Sequence, residues 1–241
     1  MVDATKRCPT GIYGLDELLE GGFPRSRTVM VSGTCGTGKS TFGVQFLYNG
    51  IVQNNEPGIL VTLEQDPLEL KQDMSRYGFD LDKLEKEGKI AIISAGIEDK
   101  MAWEDLSVSI PEKAKEIGAK RLVIDSLTAI GFLLEEMGGK EDVRKIIMSL
   151  SNAAKRSGLT TMMITETPEG SEAISMHGVE SHIADGVIHL TIHEAMDSRK
   201  IAVRKMRSTK HSLKPHDMEF SEKGVRILET EKAKSDKKVL F

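Results

Sequence analysis

The stretch VSGTCGTGKSTF, residues 31–42, sets three glycines, a lysine and several hydroxyl side chains at the junction between an apolar run and an amphipathic one. Gly33, Gly38, Lys39 and Ser40 match G-x-x-x-x-G-K-[ST], placed after an apolar strand and opening a helix, which is the context that the pattern requires. Glycines let the backbone curl until successive N–H groups face inward, and the helix that follows adds the positive end of its dipole. Such a loop cradles phosphates. Gly33, Gly36, Thr37, Gly38, Lys39, Ser40 and Thr41 are therefore the candidate phosphate contacts. Lys39 offers a point charge to the outer phosphates, and the Ser40 hydroxyl is a candidate Mg²⁺ ligand.

Working outward, short apolar runs alternate with segments of helical spacing. TVMVSG (28–33), GILVTL (58–63), KIAIIS (89–94), RLVIDS (121–126) and TTMMIT (160–165) are expected strands. STFGVQFLYNGIV, PLELKQDMSRYGF, EDLSVSIPEKAKEIG and EDVRKIIMSLSNAAKRSG are expected helices between them. This alternation implies an α/β fold, a mainly parallel twisted sheet flanked by helices. After Asp185 the pattern changes. GVIHLTIHE, RKIAVRKMR and GVRIL are expected to be consecutive antiparallel strands at the C-terminus, with AMDS joining the first two. Residues 1–229 are expected to form one domain, the charged tail 230–241 to be disordered, and SAGIEDKMAWED (94–105) to be a mobile loop.

Composition narrows the function classes. The chain has 241 residues, a formal net charge of −4 and 29% charged residues, without the basic excess of a typical nucleic-acid binder. Its two cysteines, Cys8 and Cys35, are too few for a disulfide framework and fit a reducing compartment. No apolar run reaches the length of a signal-peptide core or a membrane span, so a cytoplasmic location is expected.

A phosphate cradle needs further groups to hydrolyse anything. Asp125 ends the apolar run RLVID and has the form of the acid that orients Mg²⁺. Glu64 ends the run ILVTL, on the edge where ligands collect in parallel sheets, and is the candidate base that polarises the attacking water.

TGIYGLDELLEGGFPRSRTVMVSGTCGTGKSTFGVQFLYNGI, ILVTLEQDPLEL, GVESHIADGVIHL and RKIAVRKMRSTKH together resemble the RecA-fold ATPases of the KaiC type, relatives of the archaeal RadA recombinases. The resemblance runs from about Thr10 to Leu228. It implies a RecA-like P-loop NTPase core that binds ATP and Mg²⁺ at the subunit interfaces of a homo-oligomeric ring, commonly a hexamer; an unknown protein partner is expected besides. Family members usually carry two adjacent glutamates where this chain has Glu64 and Gln65, so the second carboxylate is missing here. The family pattern K-x-R-G-T-x-H matches Lys205, Arg207, Thr209 and His211, with Ser208 in place of glycine. By resemblance, Lys205, Met206, Arg207, Thr209 and His211 reach the ATP of the neighbouring subunit, with Lys205 and Arg207 catalytic. Strand alternation places Ile201, Val203, Lys205 and Arg207 on one face.

Three function classes follow: a ring ATPase working as a nucleotide-driven regulatory switch, a recombination accessory protein acting on DNA, and an ATP-binding regulator that phosphorylates itself at Ser181. The segment between Arg156 and Arg199 has no lysine or arginine and includes Glu166, Glu169, Glu172 and Glu180, which argues against DNA binding through the loops after Asp125 and Thr165. His189 and His193 alternate as in a strand, so they are expected to share a polar sheet face rather than a metal.

Overall fold

The computed structural model describes residues 6–94, 105–136, 140–171 and 173–228. The expected mobile loop falls outside them except at its two ends, and so does the expected disordered tail. In chain order the elements are β1 (Arg7–Cys8), α1 (Leu15–Leu18), β2 (Phe23–Pro24), β3 (Thr28–Gly33), α2 (Lys39–Asn54), β4 (Gly58–Thr62), α3 (Pro67–Ser75), α4 (Leu81–Lys86) and β5 (Ile90–Ser94). They continue with α5 (Leu106–Ile117), β6 (Arg121–Asp125), α6 (Leu127–Glu136), α7 (Lys140–Arg156), β7 (Thr160–Glu166), α8 (Glu180–Ile183), β8 (Gly186–His193), β9 (Ser198–Met206), β10 (His216–Ser221) and β11 (Gly224–Ile227).

The main sheet runs β11-β10-β9-β8-β3-β7-β6-β4-β5. From β8 to β5 every neighbouring pair is parallel, and β8, β9, β10 and β11 pair antiparallel. β3 sits near the middle and is buried along its whole length, which is why TVMVSG reads as a continuous run rather than an alternation. Val31, Leu60, Val123 and Ile164 pack on one face with Phe42 and Phe46 of α2. Val61, Leu122, Ile124 and Met163 pack on the other with Ile110 of α5 and Ile147 and Leu150 of α7. Fully burying each of these side chains contributes about 1.5–3 kcal/mol.

Besides the short elements β1, α1, β2, α4 and α8, which the sequence reading did not include, three further differences stand out. β10 was not among the expected strands. Its alternation, Met218 and Phe220 between polar neighbours, is only six residues long. The segment after Asp125 was expected to be a loop, but α6 starts two residues later, at Leu127. The alternation expected along β9 is broken by a bulge: Val187 pairs with Lys205 while Ile188 pairs with Val203, leaving Arg204 as the extra residue. Ile201, Val203 and Met206 consequently face the same core. Lys205 lies on the opposite face from Ile201 and Val203, not on theirs.

Candidate functional site

The parallel strands bring their C-terminal ends to one edge. Register places Gly33 beside Glu166, and Thr62 beside Asp125, with Glu64 two residues beyond. The loop after β3 passes into α2 through Gly38, which caps the helix at φ 94, a conformation that favours glycine. A Cβ there would also lie 2.5 Å from the Phe220 ring. α3 is held by its own start: Asp66 caps it by accepting from the amides of Leu68 at 2.7 Å and Glu69 at 3.3 Å, with Pro67 at its first position. Such a cap contributes about 1 kcal/mol and fixes where the chain leaves Glu64.

A cavity of about 250 Å³ opens here, walled by Gly38, Lys39, Ser40, Glu64, Asp125 and Glu166. Lys39 is 8% exposed; its Nζ donates to the Thr34 carbonyl at 2.9 Å and lies 3.6 Å from Glu166 Oε1. The Thr37 hydroxyl donates to the same carbonyl. The Ser126 hydroxyl donates to Glu64 Oε2 at 2.9 Å, which orients that carboxylate. Burial pushes the Asp125 carboxyl up to about 6; a hydrogen bond from Ser40 opposes the rise, and the charge of Glu64 adds to it. The structure thus brings Gly33, Gly36, Thr37, Gly38, Lys39, Ser40, Thr41, Glu64 and Asp125 to one sheet edge. Oxygen-only donors, Ser40 hydroxyl against a carboxylate that resists ionising alone, suit Mg²⁺. Gln65 points elsewhere, donating to Asp73 Oδ2 on α3 at 2.9 Å.

Residues missed in the sequence border the cavity. Glu166 ends β7, its amide donating to the Thr128 hydroxyl at 2.8 Å. Arg199 donates from Nε to the Gly36 carbonyl at 3.2 Å and sits 5.0 Å from the centroid of Phe220. Phe220 stacks on Tyr77 and, with Tyr48 and Phe79, walls a second cleft of about 860 Å³. Glu166, Arg199 and Phe220 are far from Lys39 in sequence, so only the fold reveals them.

Lys205 and Arg207 lie at the opposite end of the sheet. Met206 is paired with Gly186, which is paired with Val29 near the start of β3, whereas the P-loop follows the far end of that strand. Gly33 is four residues further along, roughly 13 Å of strand. Lys205 Nζ donates to the carbonyls of Ala184 at 2.7 Å and Ser181 at 3.0 Å. Burial, followed by the nearby Arg207 charge, lowers its pKa. Arg207 Nη1 lies 3.3 Å from Asp185 Oδ1, and the same carboxylate meets Arg27 at 3.2 Å and Lys155 at 2.8 Å. Burial raises the Asp185 carboxyl, yet Lys155, the Thr28 amide and Arg27 together hold it below the usual range. Thr209 accepts from Arg7 Nη1 at 2.6 Å, and His211 is half-buried beside the Ser212 carbonyl. The Met206 side chain is 4% exposed and packs in the core, so a nucleotide contact at this position would fall to its backbone. The other assignments at this end are spatially separate from the chain's own P-loop.

A family model described as "ATPase: KaiC" matches residues 8–232. The chain belongs to the KaiC ATPase family. It is 39% identical over 236 residues to a UPF0273 protein of Methanocaldococcus jannaschii, covering 91% of this chain and 95% of that one. The circadian clock oscillator protein KaiC of Parathermosynechococcus lividus is 37% identical over 228 residues, 90% of this chain but 41% of that protein. A solved KaiC-like protein from the hyperthermophilic archaeon Pyrococcus horikoshii superimposes with a TM-score of 0.83 at 39% identity, covering 93% of this chain and 99% of that one. The KaiC fold therefore accounts for the RecA-like sheet with its antiparallel C-terminal strands. His189 is held within the sheet by Ser32 at 3.0 Å. Among the described residues no helix is long and apolar enough to cross a membrane.

Proposed function

We propose that this KaiC-family chain binds ATP with Mg²⁺ at its P-loop edge and hydrolyses it in a homo-oligomeric ring, commonly hexameric in the family, as a nucleotide-driven regulatory switch in the cytoplasm. Residues 1–229 act as one ATPase domain in this reading. The observation that carries it is the separation of two charged groups: Lys39, Ser40, Glu64 and Asp125 converge on one cavity, while Lys205 and Arg207 occupy the other sheet end.

The loop amides, Lys39 and Thr41 hold the phosphates, and the aromatic wall at Phe220 and Tyr77 with Arg199 offers a stacking surface for the base. Ser40 and Asp125 would hold Mg²⁺, which when bound neutralises charge on the outer phosphates. Glu64, oriented by Ser126, accepts a proton from the attacking water. Arg207 and Lys205 cannot serve their own P-loop across the sheet. In a head-to-tail ring they meet the next subunit's ATP, where Arg207 stabilises charge developing on the transferred phosphoryl group.

Mixing tests this arrangement. Arg207→Ala and Lys39→Ala chains, each weakly active alone, should regain phosphate release after verified subunit exchange, because one interface then pairs an intact P-loop with an intact finger. No regain in verified mixed rings, or full activity of an isolated monomer, refutes the shared site. Single-stranded DNA should bind weakly even at low salt; tight, ATP-dependent binding that falls steeply with salt would favour the recombination class.

A further inference from the structure

The turn after Arg207 is unusual for its residues. Ser208 sits at φ 59, in the left-handed region where a side chain costs about 1–2 kcal/mol. Contacts from far upstream hold it there. Arg7 Nη2 donates to the Ser208 carbonyl at 2.9 Å, and Arg7 Nη1 donates to the Thr209 hydroxyl at 2.6 Å. The next amide, Lys210 N, donates to Glu20 Oε2 at 3.2 Å, and the same oxygen pairs with Arg7 at 3.1 Å. One guanidinium and one carboxylate therefore tie down consecutive groups of the turn.

Both side chains come from a stiff support. Arg7 and Cys8 pair with Pro24 and Phe23, and Cys8 and Phe23 are fully buried. The link between them turns so tightly on β1 that a Cβ at Gly22 would lie 2.2 Å from the Cys8 carbonyl oxygen. The Arg7 side chain is 17% exposed, so its bonds are partly shielded from water. A planar guanidinium meets a carbonyl, a hydroxyl and a carboxylate at fixed angles, which an ammonium on a flexible stem does not reproduce.

We propose that Arg7, braced by Glu20, is a positioning residue for Arg207: the β1–β2 ribbon aims the cation that the same chain delivers to its neighbour's ATP. This rests on the shared-site reading above. Arg7 touches the turn and not the nucleotide, so its loss misaims the finger and leaves the chain's own phosphate cradle intact. Misplacement on the ångström scale can lower a rate by about 10²-fold.

The test uses the full chain with Mg²⁺ and ATP. Arg7→Ala should lower kcat by about 10- to 100-fold with unchanged KM and unchanged binding of a fluorescent ATP analogue. Arg7→Lys should recover only part of the loss. Mixing then sorts the defect by side of the interface. Lys39→Ala chains, whose fingers are intact, should rescue Arg7→Ala; Arg207→Ala chains should not, because every finger in those rings is faulty. A general weakening of the fold would not sort in this way. Unchanged kcat in Arg7→Ala, or rescue by Arg207→Ala, overturns the proposal. If Arg7→Ala does not fold, Glu20→Ala should show the same sorting with a smaller kcat loss, and its failure to sort overturns the proposal equally. Failure of the control mixture, Arg207→Ala with Lys39→Ala, strikes the shared site itself and is read separately.

Discussion

The two ends of the sheet carry opposite charge surpluses. At the P-loop end Glu64, Asp125 and Glu166 face Lys39 and Arg199; at the other end Arg27, Lys155, Lys205 and Arg207 gather about Asp185 and its neighbour Ala184. Neither arrangement is balanced within one chain. In the proposed reading ATP would add negative charge at the acidic end beyond what Lys39 and Arg199 supply, while Lys205 and Arg207 lie at the far end of the sheet. In the proposed ring a head-to-tail contact would bring the two ends together, and such contacts close into rings when the rotation allows. The comparison teaches that electrostatic incompleteness, rather than any single residue, argues for assembly.

The largest expected effect breaks the comparison from its basic end. Arg207→Ala should bind ATP as the wild type does and release phosphate about 10³- to 10⁵-fold more slowly. Phosphate release and nucleotide affinity, measured on one preparation, separate the two. Loss of affinity equal to the loss of rate would mean that Arg207 supports the fold or the cradle instead. At the acidic end, Glu64→Gln should spare binding and slow turnover by about 10²- to 10⁴-fold. Unchanged release would remove Glu64 as the base, and Gln65, turned toward Asp73, offers no replacement.

The ends also differ in how far the sequence disclosed them. The P-loop is local: a dozen consecutive residues, with glycines where the backbone must curl, specify both conformation and chemistry. Asp125 and Glu64 were legible because strand ends in a parallel sheet share an edge. Arg199, Phe220 and Glu166 were not, since they reach the cavity through β9, β10 and β7, whose order in the sheet no local pattern states. At the basic end the resemblance picked out Lys205 and Arg207, but strict alternation put Lys205 on the wrong face because a bulge leaves no period of its own. Arg7 and Glu20 were silent for a related reason. They are separated from the turn by 201 and 190 positions, as Arg7–Ser208 and Glu20–Lys210, and only the ribbon's packing brings them near.

The smallest effect sharpens the acidic end. In the folded chain Asp125 titrates at about 6, against 3.8 for the unperturbed group, so the folded state prefers the protonated form. Between those values the folded protein binds more protons than the unfolded one, and stability falls as pH rises through the interval. The penalty is absent below the lower value and complete above the upper one. Asp125→Asn removes the titration while keeping a carbonyl acceptor for Ser40. In chelator, without nucleotide, that variant should be about 1–3 kcal/mol more stable than wild type at pH 7. The difference should shrink toward zero near pH 4, as measured by urea unfolding at each pH. With Mg²⁺ and ATP present the order should reverse, because the wild-type carboxylate then has a cation to face and the amide does not. An Asn variant less stable than wild type at pH 7 in chelator would show that the acidic end is already compensated within the chain. The electrostatic reason for a neighbour would then rest on the basic end alone.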